Sequence, residues 1–140
     1  MTTVVCDASV LFKLLVDEPH NDRAKALVAS AEVYVPELCY AELGNAVWAY
    51  MRRHRLNHRE GEVLLDILSR APLDVRSIRP HYRRALALAS IMNHPLYDCI
   101  YLALAETLGL PLVTADRRLI AAVRRAPFSS LQVHALADFV

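Results

Sequence analysis

Short apolar runs alternate with longer amphipathic stretches along the chain, and this alternation predicts strands that are each followed by helices. The predicted strands cover residues 3–6, 33–35, 73–75, 112–114 and 131–133. The predicted helices cover residues 8–15, 21–31, 37–55, 57–68, 80–92, 98–109 and 117–123. Because strands alternate with helices, we expect parallel pairing through right-handed crossovers. The pattern predicts one α/β domain over residues 1–140, a three-layer helix–sheet–helix sandwich with a mostly parallel central sheet.

The most apolar part of the chain lies between two aspartates, Asp98 and Asp116. Residues 99–105 are apolar on every side, which predicts a helix buried inside the domain. Asp98 begins this helix and Asp116 follows the next strand, just as Asp7 follows the first strand of the chain. Aspartate is a preferred N-cap residue, so helix capping alone explains each of them. However, ligands bind at the carboxyl edge of a parallel sheet, where we expect the strands to place Asp7 and Asp116.

A fourth acid, Glu42, lies in the long predicted helix 37–55, one turn before Asn45. Both side chains share a helix face with apolar residues that we expect to point inward. That face consists of Leu38, Ala41, Trp48 and Ala49. An ionised glutamate is rarely turned inward unless it is paired or bound to a metal, so Glu42 is a candidate ligand. The alternative is a surface residue whose flank dips into the protein.

Four carboxylates that meet at one sheet edge would repel one another unless cations or protons were present. Magnesium or manganese fits them best, because these hard cations prefer carboxylate oxygens and keep several waters. Two such ions, roughly 3.5–4 Å apart, activate water for phosphodiester cleavage. The sequence contains no G-x-G-x-x-G, no G-x-x-x-x-G-K-[ST] and no G-x-S-x-G motif, which excludes nucleotide binding or acyl transfer by those motifs.

The composition says more about where in the cell the protein acts than about what it does. With 16 basic and 15 acidic side chains the net charge is +1, which by itself indicates no nucleic-acid partner. Three cysteines without a C-x-x-C pair argue against a disulfide framework and against a zinc knuckle. The amino terminus lacks a basic start, and no apolar run reaches the roughly 18–20 residues of a membrane helix. We therefore expect a cytoplasmic protein without a membrane segment.

Four segments occur in a characteristic order, and the first three of them carry these acids: VVCDASV, ELCYAELGNAV, YDCIYLALAETLGLPLVTAD and the RRL that follows. Together they resemble the PIN-domain family, and in particular toxins of the VapC type. The resemblance covers nearly the whole chain and implies a PIN-like fold. Cys99 is the one local departure, because a small residue such as alanine is more usual there. It does not affect the acidic positions.

The resemblance implies a Mg²⁺- or Mn²⁺-dependent endoribonuclease, the toxin of a type II toxin–antitoxin system, in which a metal-activated water attacks RNA. The family's acidic quartet, which is both catalytic and metal-binding, matches Asp7, Glu42, Asp98 and Asp116. Three further positions match polar residues that support the quartet, namely Thr114, Asn45 and, more loosely, Ser9.

The resemblance also implies partners: a VapB-like antitoxin, a second copy of the chain in a homodimer, and an RNA substrate. Arg117 and Arg118 follow Asp116 directly and are candidate contacts to substrate phosphates, although an exposed helix start explains them equally well. Two alternatives stay open, a housekeeping PIN nuclease without an antitoxin and a catalytically silent PIN fold that only binds.

Overall fold

A five-stranded parallel sheet forms the centre of the protein, with strand order β3-β2-β1-β4-β5. The structure is a computed structural model, described here for residues 1–127 and 130–139; Ser129, which the sequence places in a loop, lies outside them. The strands are β1 (Thr3–Cys6), β2 (Glu32–Pro36), β3 (Leu73–Arg76), β4 (Leu112–Thr114) and β5 (Val133–Ala135). The described part of the sheet is thus parallel throughout, which confirms the predicted α/β sandwich.

Helices connect consecutive strands and cover the two faces of this sheet. They are α1 (Ala8–Leu11), α2 (Asn21–Ser30), α3 (Leu38–His54), α4 (His58–Arg70), α5 (Tyr82–Met92), α6 (Leu96–Leu108) and α7 (Arg117–Arg125). Short 3₁₀ turns follow α1 (Phe12–Leu14) and β5 (Leu136–Asp138). None of the helices in the described ranges is long and apolar enough to cross a membrane.

The middle of the sheet is the most deeply buried part of the molecule. Val5 of β1 lies beside Tyr34 of β2 on one side and Leu112 of β4 on the other. All three residues of β4 are buried, as the apolar run predicts. The carboxyl ends of β1 and β4 therefore lie next to each other on one edge.

Helix α6 is buried along its length, which confirms the prediction from its uniform apolar sequence. Residues 99–105 are all buried, and only the first turn and the end of the helix reach the surface. Gly109 ends the helix in the left-handed conformation, with φ of 67°, which glycine adopts without steric strain. Asp98 is in the exposed first turn, so the buried body of the helix fixes its position.

The inward face of α3 differs from the predicted one. The buried residues are Cys39, Leu43 and Val47, whereas Trp48 is 54% exposed. The helix is rotated so that Glu42 lies at the border of the buried face and Asn45 is exposed. Helix α5 also leaves a large apolar side chain outside the core, since Leu86 is 62% exposed.

Candidate active site

Asp7 caps α1 and is also the most deeply buried acid of the edge, at 4% exposure. Its Oδ1 accepts hydrogen bonds from the Ser9 hydroxyl at 2.5 Å and from the Val10 amide at 3.3 Å. Its Oδ2 accepts a hydrogen bond from the Thr114 hydroxyl at 2.5 Å. Asp7 therefore caps a helix and is also bonded to Thr114 at the end of the neighbouring strand.

Burial raises the pKa of Asp7 from 3.8 to about 6. The hydrogen bonds from Ser9, Thr114 and the Val10 amide oppose this rise, because they stabilise the charged form. The negative charge of Asp98 adds to it. The carboxylate of Asp7 is thus held in a place where its charge is unfavourable unless a cation compensates it.

Asp116 is tied to Asp7 through the hydroxyl of Thr114. The Asp116 amide donates to Thr114 Oγ1 at 3.0 Å, and that hydroxyl donates in turn to Asp7. A second link runs from the Ala115 amide to Ser9 Oγ, at 2.9 Å. These bonds join the ends of β1 and β4 and fix the spacing of their two acids.

The Asp116 side chain itself caps α7. Its Oδ1 accepts from the amides of Arg118, at 2.9 Å, and Leu119, at 3.4 Å. These amides are among those that a helix start leaves without partners. Asp116 therefore has the same local arrangement as Asp7 but is less buried.

Asp98 is held by a residue for which the sequence indicated no role. Its Oδ2 lies 2.6 Å from His94 Nε2, and the side chain of His94 is only 12% exposed. His94 comes two residues before α6 begins, four positions ahead of Asp98. That i,i+4 spacing across the helix start is the one signal that would have pointed to it.

Glu42 is held by the hydroxyl of Tyr101, which donates to Oε1 at 2.7 Å. Burial raises the pKa of Glu42, the bond from Tyr101 lowers it, and the charge of Asp98 raises it further. Tyr101 is buried in α6, one turn after Asp98, so α6 positions two of the acids at once. No local pattern in the sequence distinguishes Tyr101 from its apolar neighbours.

The structure brings the four acids to one edge. The charge of Asp98 acts on both Asp7 and Glu42, while Asp98 and Asp116 line the same cavity of about 520 Å³. Ser9 and Thr114 lie among them as supporting hydroxyls. Asn45 does not join them, because it is exposed and makes no hydrogen bond within the described residues.

The two candidate arginines lie on different sides of this edge. Arg118 lines the cavity that contains Asp98 and Asp116. Arg117 lines two other cavities, one with Thr114 and Lys13 and one beside β5. Of these two candidates, Arg118 therefore borders the same cavity as Asp98 and Asp116, and Arg117 does not.

The donor set fits a hard divalent cation, because every candidate ligand is a carboxylate oxygen. The nearby thiols do not compete: Cys6, Cys39 and Cys99 are buried, and burial raises the pKa of Cys99 to about 11. As positioned, the side chains of residues 1–127 and 130–139 include no group of three or more His, Cys, Asp or Glu arranged around one metal position. The acids thus surround the edge without forming a closed ligand cage.

Comparison with known proteins identifies the family. The sequence model of the PIN domain matches residues 4–125. The chain belongs to the PIN-domain family. Among curated relatives of this PIN domain, ribonuclease VapC3 of Pyrobaculum aerophilum is 34% identical over 119 residues, covering 83% of the chain and 91% of the relative. Ribonuclease VapC12 of Mycobacterium tuberculosis is 30% identical over 116 residues, covering 83% and 88%.

Solved structures have the same fold at lower identity. The PIN domain overlays on PAE2754 of Pyrobaculum aerophilum with a TM-score of 0.67 at 24% identity, covering 94% of the chain and 89% of that structure. It overlays on VapC20 of Mycobacterium tuberculosis, described as a sarcin-ricin loop cleaving toxin, with a TM-score of 0.64 at 18% identity, covering 92% and 98%. These likenesses confirm the architecture.

Proposed function

We propose that this PIN domain is a Mg²⁺- or Mn²⁺-dependent endoribonuclease that acts in the cytoplasm as the toxin of a type II toxin–antitoxin system. One observation carries the proposal: four acids from separate segments meet at one sheet edge. Thr114 bonds to Asp7 and Asp116, Asp116 and Asp98 line one cavity, and Tyr101 of the same helix as Asp98 holds Glu42. Relatives of at least 30% identity that are named VapC ribonucleases support the choice of RNA as substrate.

Asp7, Glu42, Asp98 and Asp116 would hold the cation. When bound, the cation lowers the pKa of a water molecule and offsets the charge of the phosphate. The chain's own part is positional. Ser9 and Thr114 orient both oxygens of Asp7, while His94 and Tyr101 each engage one oxygen of a helix-borne acid. The second oxygen of each of these two acids, Asp98 Oδ1 and Glu42 Oε2, accepts no hydrogen bond from the described residues. We propose that these oxygens bind the cation.

The same edge suits an antitoxin. Solved neighbours include a toxin–antitoxin complex from Klebsiella pneumoniae, at a TM-score of 0.60, and VapBC2 of Rickettsia felis, at 0.65. We propose a VapB-like partner that inserts an arginine among the carboxylates, because a guanidinium pairs with them through charged hydrogen bonds. We also propose a homodimer, as the family resemblance implies; it would cover exposed apolar side chains such as Leu86, Ile91 and Tyr97.

The test is cleavage of RNA by the purified chain in Mg²⁺ or Mn²⁺, against the same reaction in EDTA. We expect cleavage only with the metal, and its loss in Asp98→Asn, which keeps the size of the side chain. Asp66→Asn is the matched control, because Asp66 is exposed on α4. Activity in EDTA, or full activity of Asp98→Asn, would rule out the proposed site.

The toxin assignment needs a separate experiment, because a housekeeping nuclease would also cleave RNA. Expression of the wild-type chain should arrest growth, and Asp98→Asn should not. Co-expression of the small protein encoded next to it should restore growth. Sequencing RNA 5′ ends from both cultures gives the cleavage sequence. Unimpaired growth despite cleavage in vitro would favour the housekeeping alternative.

A further inference from the structure

Helix α7 carries an arginine pair at each end, Arg117 with Arg118 and Arg124 with Arg125. Residues seven positions apart are nearly two full turns apart and so lie on the same helix face. Arg118 and Arg125 both line the cavity of about 520 Å³ that contains Asp98. Arg124 does not line that cavity; it lines the one beside β5, which Arg125 also borders. One member of each pair therefore faces the acids.

The cationic groups of this face are not used for internal ion pairs. Arg118 and Arg125 are exposed, and neither forms an ion pair or a side-chain hydrogen bond with the described residues. This holds although carboxylates of Asp98 and Asp116 border the same cavity. Both guanidinium groups are therefore available to an anion from outside the chain.

Helix stability explains only one of the two arginines. Arg125 is in the last turn of α7, where a positive charge interacts favourably with the helix dipole. Arg118 is in the first turn, where the same charge meets the positive end of the dipole and is unfavourable. A role in the folded helix alone thus leaves Arg118 unexplained.

We propose that Arg118 and Arg125 form a phosphate-binding track that holds single-stranded RNA beside the acidic edge. The inference rests on the proposed nuclease function and extends it by a substrate contact, Arg125, and by a direction for the strand along α7. The two Cα atoms are roughly 10 Å apart along the helix axis, so the guanidinium groups contact different phosphates of one strand. Arginine suits this task because its planar fork binds phosphate oxygens in pairs.

Repulsion between the acids and the RNA backbone favours such a track. A phosphodiester that approaches four carboxylates is repelled by them, and this repulsion is offset only partly by the cations that the site would bind. Positive charge at the rim of the cavity holds the neighbouring phosphates without competing for the metal ligands. It therefore raises affinity for RNA while leaving the chemistry to the acids.

The test measures binding of a short, fluorescein-labelled single-stranded RNA to the full chain across a range of salt concentrations. The Asp98→Asn background keeps the RNA intact. In Arg125→Gln we expect weaker binding and a slope of log K against log salt that is smaller by about 0.7, the loss of one phosphate contact on a single strand. Arg125→Lys should keep most of the slope, since it keeps the charge. Arg124→Gln is the matched control and should leave the slope unchanged.

Cleavage by the same variants with Asp98 restored separates the two proposals. Arg125→Gln should raise KM with little change in kcat, whereas Arg124→Gln should change neither. If the wild-type chain cleaves RNA and the two glutamine variants behave alike in slope and in KM, the track is wrong and the nuclease function stands. If the wild-type chain cleaves no RNA in Mg²⁺ or Mn²⁺, the nuclease function fails, and the track fails with it.

Discussion

The two acids at strand ends and the two acids on helices are held in different ways. Asp7 and Asp116 each follow a strand, cap a short helix and accept hydrogen bonds from amides two or three residues later. Glu42 and Asp98 accept from aromatic side chains instead, Tyr101 and His94. The strand-end acids thus have backbone amides among their partners, with the Ser9 and Thr114 hydroxyls added at Asp7, while each helix-borne acid depends on a single side chain.

The orientation of a carboxylate in this site is therefore fixed in one of two ways. A backbone amide of a helix start is present whatever the side chain, so a strand-end acid keeps at least one hydrogen bond when a neighbouring side chain is substituted. A helix-borne acid loses its orientation when one ring nitrogen or one hydroxyl is removed. We therefore expect the strand-end acids to govern stability and the helix-borne anchors to govern metal affinity.

The largest expected effect concerns Asp7 and pH. Its pKa in the folded chain is about 6, against an ordinary value of 3.8. The folded chain then binds a proton more tightly than the unfolded chain, so its free energy of unfolding falls as pH rises through this interval. The contribution of Asp7 amounts to about 3 kcal/mol. Urea unfolding in EDTA at pH values from about 4 to 7 measures it.

Asp7→Asn provides the comparison for this measurement. The amide stays neutral at every pH, and the Ser9 and Thr114 hydroxyls adapt to it because each can donate or accept. We expect the variant to gain stability relative to wild type as pH rises, with no further gain above pH 7. Parallel curves for the two proteins would mean that ionised Asp7 is not destabilising.

The next effect concerns the anchors of the helix-borne acids. We expect His94→Ala and Tyr101→Phe each to weaken Mn²⁺ binding by about 10- to 100-fold, because outer partners orient the ligands. Calorimetric titration with Mn²⁺ measures the affinity directly. His58→Ala and Tyr97→Phe are matched controls, since both residues are exposed. Unchanged affinity in both anchor variants would remove the distinction between the two kinds of acid.

The smallest effect concerns the cap of α7. In Asp116→Ala the free energy of unfolding in EDTA should fall by about 1 kcal/mol, because the Arg118 and Leu119 amides lose their acceptor. Asp116→Asn should lose less, since asparagine is also a good N-cap. Chemical denaturation of the three proteins at one pH decides this. An equal loss in both variants would indicate that the charge matters and the cap does not.

The strand-end half of the site was predictable from the sequence because its geometry is local. An apolar run followed by aspartate and a new helix predicts Asp7 and Asp116 at the carboxyl edge, and the parallel sheet confirms that edge. Helix α6 was equally clear, since residues 99–105 leave no polar side to face water. Both inferences use spacings of only a few residues.

The helix-borne half was less predictable because it depends on helix rotation and on distant contacts. The predicted face of α3 differs from the observed one with Leu43 and Val47, because each residue turns the helix by about 100° and a shift of one residue in the pattern selects a different side. Exposed Trp48 shows that a large apolar residue does not by itself mark the inward side. The bond between Tyr101 and Glu42 joins residues 59 positions apart, which no local pattern reveals.

The parallel pairing of β1 with β4 also joins segments that the ribosome synthesises at different times. Asp7 leaves the ribosome early, but its hydroxyl partner Thr114 and the second strand-end acid are more than a hundred residues later. At roughly 5–20 residues per second, that interval is about 5 to 20 s of synthesis. Throughout it the nascent chain holds only part of the acidic edge. The four acids that we propose as the cation site, and as the surface for an antitoxin, are therefore complete only once Asp116 has been synthesised.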